Sequence, residues 1–250
     1  MLALCILAAV ACSHGRLPSP APPWTTARQA VVVVTPGWDA NHGVLHTFER
    51  SNGRWREVGD PQPAMVGRKG SAWGLGLHSD PPSGPTKREG DGRSPAGVFE
   101  IGSAFGYAQR AGAGLPYAAM QATHYCMDVS GSPLYNRIVD AREVGDAAVE
   151  GSTEPMRRDL HADGDQRYRL GFVIEHNPQA RRDAGSCIFA HLWKSPSDAT
   201  AGCTAMADPV MERLLAWLRP DQQPVFVLMP AAQYRSLQAR WQLPALDTPQ

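Results

Sequence analysis

Residues 30–35 read AVVVVT and stop at Pro36-Gly37. A run this short, this apolar and this rich in β-branched side chains predicts a buried strand. Residues 44–49 and 55–58 flank Ser51-Asn52-Gly53. They read as a β-hairpin, because Asn-Gly tolerates the positive φ that a tight turn needs. Residues 168–175 (YRLGFVIE), 187–192 (CIFAHL) and 225–229 (VFVLM) are predicted as further strands.

Glycine (24) and proline (22) make up nearly a fifth of the 250 residues, against about 12% in average usage. Such a chain turns often, which disfavours a helix bundle. Two helices are nevertheless expected late in the chain. Asp208 reads as an N-cap with Pro209 at the first helical position. Val210, Met211, Leu214, Leu215 and Leu218 then form one apolar face, and Pro220 ends it. Residues 231–241 place Tyr234, Leu237 and Trp241 on one side. Residues 59–97 and 103–165 show little periodicity, and long loops in a compact domain usually build sites. The expectation is one mainly β domain over residues 28–245, with a few helices packed on it. A charged fraction of 19% with 43% hydrophobic residues excludes a disordered chain. Lys+Arg and Asp+Glu both number 24, so a general nucleic-acid binder is not expected.

Residues 1–11, MLALCILAAVA, carry no charged side chain and are too short to span a bilayer as a helix. They match a secretory h-region ending in small residues at Ala9-Val10-Ala11. Cys12 follows directly, as in a bacterial lipoprotein signal, and is the candidate lipid anchor. Residues 12–27, rich in Pro, Ser and Thr, read as a tether. The expected location is the bacterial cell envelope (the periplasm); a buried N-terminal strand or helix is the alternative. Cys126, Cys187 and Cys203 would remain after processing. Three is odd, so at least one is free, or all are.

The sharpest local feature is residues 185–206, GSCIFAHLWKSPSDATAGCTAM. His191 closes a strand, a polar loop follows, and Cys203 sits in a turn before a helix. A thiol is nucleophilic as its thiolate, and an adjacent imidazole can take its proton. Gly202 removes a Cβ that would hinder close approach, and the N–H groups of Gly202 and Cys203 are candidate oxyanion donors. The alternative is a small buried cysteine with a structural histidine. A zinc site would have only two ligands here and is not expected.

This pattern resembles the L,D-transpeptidase catalytic domain (YkuD-like) family of bacterial peptidoglycan enzymes. That family carries a His at a strand end, then Ser/Thr-His-Gly-Cys; the matching residues are His191, Thr200, Gly202 and Cys203. Ala201 stands where the family pattern has a second His. Residues 87–99, KREGDGRSPAGVF, and 132–137, SPLYNR, resemble segments of one branch. Met156-Arg157-Arg158-Asp159 and Glu175-His176-Asn177 also fall where that branch has similar stretches.

The resemblance implies an L,D-transpeptidase-like β-sandwich with long loops, acting as a monomer without metal or organic cofactor. Its partners would be peptidoglycan stem peptides. Cys203 would attack the carbonyl between a diamino acid and a terminal D-amino acid, with His191 as base and then acid. The thioester would pass to an amine, giving transfer, or to water, giving carboxypeptidase or amidase action. A cell-wall binding module with a dead site is the reading from another class. Tyr135, Asn136, Arg137 and Asn177 are candidate binders of stem carboxylates and amides, or braces for long loops. His176 is a candidate second imidazole. Lys87, Glu89, Asp91 and Arg93 suit turn chemistry and surface ion pairs. Cys187 precedes His191 by four, an even offset that would put both on one strand face. A Cys126–Cys187 disulfide would suit an exported protein; free thiols are the alternative. Catalysis requires the Cys203 sulfur within proton-transfer reach of His191, at the mouth of an open groove.

Overall fold

The computed structural model describes residues 21–79 and 81–246. The expected signal and Cys12 lie outside them. The expected tether gives way to packed structure early. Trp24 and Ala27 are buried in the main core, and the Trp24 indole N–H donates to the Trp241 carbonyl at 2.8 Å.

Strands dominate. The first five are β1 (Gln29–Thr35), β2 (His42–Ser51), β3 (Arg54–Glu57), β4 (Gln62–Met65) and β5 (Ser71–Trp73). Then come β6 (Ser94–Gly106), β7 (Tyr117–Ala119), β8 (His124–Cys126), β9 (Ile138–Asp140) and β10 (Glu154–Pro155). The last four are β11 (Leu170–Ile174), β12 (Phe189–Leu192), β13 (Thr204–Met206) and β14 (Val225–Pro230). Short helices α1 (Ala141–Val144), α2 (Asp146–Val149) and α3 (Arg158–His161) sit mid-chain; α4 (Asp208–Trp217) and α5 (Ala231–Leu237) are longer.

The valine run behaves as its chemistry demands. Val31, Val32 and Val33 are fully buried, each side chain worth about 1.5–3 kcal/mol of burial. Their backbone pairs on both edges, parallel with β14 and antiparallel with β2. The hairpin of β2 and β3 turns at Asn52 (φ 49°) and Gly53 (φ 76°) as predicted. The ladder runs β1-β14-β6-β11-β12-β13-β4-β2, and β2 pairs back to β1. The mainly β class therefore holds, and its main core is wrapped by one barrel-like sheet that closes on itself.

The central strand β6 has 13 residues and no clear signature in the sequence, because Pro95, Gly97, Gly102 and Gly106 interrupt it. Gly97 is needed there. Its φ is +139°, and a Cβ would fall 1.9 Å from the His78 ring.

The α4 face is buried at Val210, Met211, Leu214 and Leu215 as expected. Its cap differs from the expectation. Ala207 occupies the N-cap with no side-chain cap bond, Asp208 is already helical, and the Asp208 carboxylate pairs with Arg169 instead of capping. Helix α5 ends at Leu237, earlier than expected, yet Trp241 still packs into the core.

The aperiodic stretch 103–165 is not one loop. It carries a second sheet, ordered β10-β8-β9, and the three small helices. A disulfide joins Cys126 on this sheet to Cys187, just before β12. Between them lies a second, smaller core containing Phe105, Met156, Tyr168, Phe189 and Cys203.

Candidate active site

Strands β12 and β13 run parallel, with Ala190 opposite Thr204 and His191 opposite Ala205. Side chains alternate along a strand, so this register turns Phe189, His191 and Cys203 toward one face, that of the smaller core. Cys203 is held by its backbone. Its carbonyl accepts from the Thr200 hydroxyl at 2.6 Å and the Ser94 hydroxyl at 2.9 Å. Ser94 in turn accepts from the Gly67 N–H at 2.9 Å.

The Cys203 sulfur accepts from the Phe189 N–H at 3.3 Å, and its S–H reaches the Cys187 carbonyl at 3.5 Å. Among the described residues no hydrogen bond joins it to His191. The residue is only 7% exposed. Burial, with the Glu154 charge second, pushes the thiol up to about 12.

His191 is also buried, and burial pulls it down to about 4. Its Nδ1 lies 2.7 Å from the Leu192 carbonyl. A carbonyl only accepts, so Nδ1 carries the proton and Nε2 of the neutral ring is left as an acceptor.

The expectation of an open groove is therefore corrected: the sulfur is covered. A cavity of about 500 Å³ opens beside it. Cys187 and Phe189, whose backbones touch the sulfur, form part of the cavity wall with Phe105, Cys126, Ile138 and Glu175. Neither Cys203 nor His191 lines it.

Gly202 also departs from its expected role. Its N–H donates to Thr200 Oγ1 at 3.2 Å, so it braces the turn. A Cβ there would meet the Arg93 carbonyl at 3.2 Å. The tightest approach at this glycine is therefore to the Arg93 backbone. The Cys203 N–H remains as the candidate oxyanion donor.

A family model for the L,D-transpeptidase catalytic domain (YkuD) matches residues 38–227. The chain belongs to this family. Comparison with curated proteins finds no match. Among solved structures, one of Bdellovibrio bacteriovorus Bd1075 is similar at 11% identity and a TM-score of 0.39. The match covers 86% of this chain and 55% of that one, so the chain spans about half its length.

Within this L,D-transpeptidase domain the other predicted site residues divide sharply. Asn136 is a brace. Its Nδ2 donates to the His176 and Asn177 carbonyls at 2.8 and 2.9 Å, and its Oδ1 accepts from the Cys187 N–H at 2.8 Å. Asn177 is fully buried and donates to the Arg181 and Gly185 carbonyls. His176 has both ring nitrogens engaged, with the Leu75 N–H and the Ala184 carbonyl. Burial pulls it to about 4. Tyr135 is buried and donates to Glu89, which also accepts from Ser186 at 2.6 Å. Of this set, Arg137 alone is exposed, and no ion pair holds it among the described residues.

The loop of residues 87–93 has a structural role. Buried Lys87 pairs with Asp91 at 2.7 Å, and Arg93 reaches Asp39 at 2.6 Å. Ala201 is exposed, so the family's second His would stand at the surface here. Cys187 does not share the strand face of His191 through alternation. Its φ is +55° and the strand begins only at Phe189.

Three residues at the site were missed: Tyr168, Glu154 and Arg158. The Tyr168 ring stands edge-on to His191 at 5.1 Å. The Arg158 guanidinium lies 5.4 Å over its face and pairs with Glu154 at 3.2 Å. Arg158 lies in a segment matching the family branch, which was the one available signal.

Proposed function

We propose that this protein is an exported cysteine acyl-transferase acting on peptidoglycan stem peptides, with Cys203 as nucleophile and His191 as base and acid. One observation carries the reading. In a domain of this family, the described cysteine left outside the disulfide shares a strand face with a histidine whose Nε2 is an acceptor.

His191 Nε2 takes the Cys203 proton as the sulfur attacks the carbonyl between the diamino acid and the terminal D-amino acid. The Cys203 N–H donates to the oxyanion. Collapse breaks the C–N bond, and imidazolium His191 protonates the leaving amine. The thioester is then opened by a side-chain amine of another stem, giving a cross-link, or by water. Two buried neutral groups form the ion pair reluctantly, so substrate entry has to open the cover over the sulfur. The disulfide supports an oxidising envelope compartment. Arg137 is the binder assigned to a stem carboxylate, and Cys12 the lipid anchor.

The burial of the sulfur gives the wall-binding module without turnover a specific observation in its favour. Incubation with purified tetrapeptide stems and mass spectrometry separates the readings. Cross-linked product with loss of the D-amino acid is expected, and none from Cys203→Ala. Hydrolysed stems alone would turn the assignment to a carboxypeptidase. Wall binding without turnover would leave the binding module.

A further inference from the structure

Glu175 follows β11 directly and is partly buried, and among the described residues no hydrogen bond or ion pair holds its carboxylate. Its Oε1 lies against Gly102 of β6, where a Cβ would stand 2.2 Å from it. Gly102 has no positive φ, so the backbone makes no demand for glycine there. The carboxylate fills the space that a side chain at 102 would take. Burial, and after it the Glu100 charge, pushes this carboxyl up.

Glu175 lines the cavity of about 500 Å³ beside the Cys203 sulfur. Val173 stands opposite Phe189 across β11 and β12, and the Phe189 N–H is the group that holds the sulfur at 3.3 Å. Glu175 lies two residues beyond Val173, and both face the cavity. Two residues advance a strand by about 6–7 Å, so Glu175 stands roughly that far along the wall from the pair beside the sulfur. Of the other polar groups in this wall, Asp140 pairs with Arg142 at 2.6 Å, Asn136 braces the backbone, and His176 has both ring nitrogens engaged. Glu143 is exposed on α1, and His124 Nδ1 accepts from the Gln121 N–H at 2.8 Å. No Lys or Arg is among the lining residues.

We propose that Glu175 binds the side-chain ammonium of the diamino acid whose carbonyl Cys203 attacks, and so selects acyl-donating stems in which that amine is free. This deepens the reading of the protein as a stem-peptide acyl-transferase and rests on it. The span agrees. At roughly 1.5 Å per bond, the carbonyl carbon and the side-chain nitrogen of such a residue lie about 7 Å apart when extended. The apolar wall at Val173 and Phe189 suits the aliphatic carbons between them. An ammonium at Glu175 offsets the desolvation of the carboxylate; an acylated, neutral nitrogen leaves it without a counter-charge.

The test is calorimetric binding to the full chain carrying Cys203→Ala, so that no turnover consumes the peptide. Two tetrapeptide stems are compared, one with a free side-chain amine and one acetylated at that nitrogen. The free-amine stem should bind about tenfold more tightly, the worth of one hydrogen bond between charged groups. Adding Glu175→Gln should remove the difference by weakening the free-amine stem alone. A merely structural Glu175 would weaken both stems equally. Equal affinities in the Cys203→Ala chain overturn the proposal, as does a preference that survives Glu175→Gln, or no binding of either stem. Should Glu175→Gln fail to fold, Gly102→Ala decides. Its Cβ displaces the carboxylate while keeping the charge, so the preference should shrink, and an unchanged preference overturns the proposal. Binding is read without turnover, so failure here is distinct from retained turnover in Cys203→Ala, which would remove the nucleophile assignment itself.

Discussion

The carbonyl of Cys187 accepts the thiol of Cys203 at 3.5 Å, while the Cys187 sulfur is bonded to Cys126. One residue thus ties the free thiol to the small sheet of β8, β9 and β10. The disulfide spans 61 residues, and loop-closure entropy over that length is worth about 4 kcal/mol. Cys126→Ala/Cys187→Ala should lower the melting temperature by roughly 10 °C. It should also speed alkylation of Cys203, since the cover over the sulfur loses its staple. An unchanged melting curve would show that the bridge does not constrain the fold.

Thr200 accepts from the Gly202 N–H and donates to the Cys203 carbonyl with the same hydroxyl. Thr200→Val keeps the shape and leaves the buried Gly202 N–H without its partner, while the Cys203 carbonyl keeps only the Ser94 hydroxyl. The expected loss is ~1–3 kcal/mol of stability, read from urea melts. Turnover should fall further than stability alone explains, because the turn that aims the sulfur loosens. Wild-type kcat in a stable Thr200→Val protein would count against that role for the hydroxyl.

Asn136 and Arg137 are adjacent and should behave oppositely. Asn136 has φ +62° and joins three backbone groups. Asn136→Ala should cost ~3 kcal/mol or more, by combining lost buried hydrogen bonds with a strained backbone. Arg137→Ala should change stability by under about 0.5 kcal/mol and raise KM for stems bearing a free carboxylate. Equal KM values for carboxylate and amidated stems in both proteins would remove Arg137 from the substrate site.

His176 and His191 are buried and neutral, each pulled from 6.5 to about 4 by burial. Unfolding returns them to their ordinary value. The unfolded chain therefore binds more protons between pH 4 and 6.5, and stability falls as pH drops through that window. Each contributes at most roughly 3 kcal/mol at the acid end. Urea midpoints at pH 7.5, 6 and 5 should fall in that order. Equal midpoints at pH 7.5 and 5 would contradict this account of the two rings.

Short-range features were legible because their physics is local. Four adjacent valines define a strand, Asn52-Gly53 a turn, and the spacing of Val210, Met211, Leu214 and Leu215 a helix face. The residues around His191 and Cys203 were enough to indicate the family. What β6 would do was hidden, since Pro95, Gly97 and Gly102 break the alternation that marks a strand. Which asparagine braces and which arginine stays free was hidden as well. Asn136 finds its partners at 176, 177 and 187, far beyond the two- and four-residue spacings that periodicity reports.

The sequence by itself determined the chemistry available: one strand-borne imidazole, one turn-borne thiol, and the elements that carry them. Tertiary structure alone decided that Cys126 pairs with Cys187, that the Cys203 sulfur lies covered, and that the Tyr168 ring stands edge-on to His191. The reason is that hydrogen bonds and desolvation depend on distances between segments. Those distances are set only once the sheet closes on itself and the smaller sheet is fastened over the site.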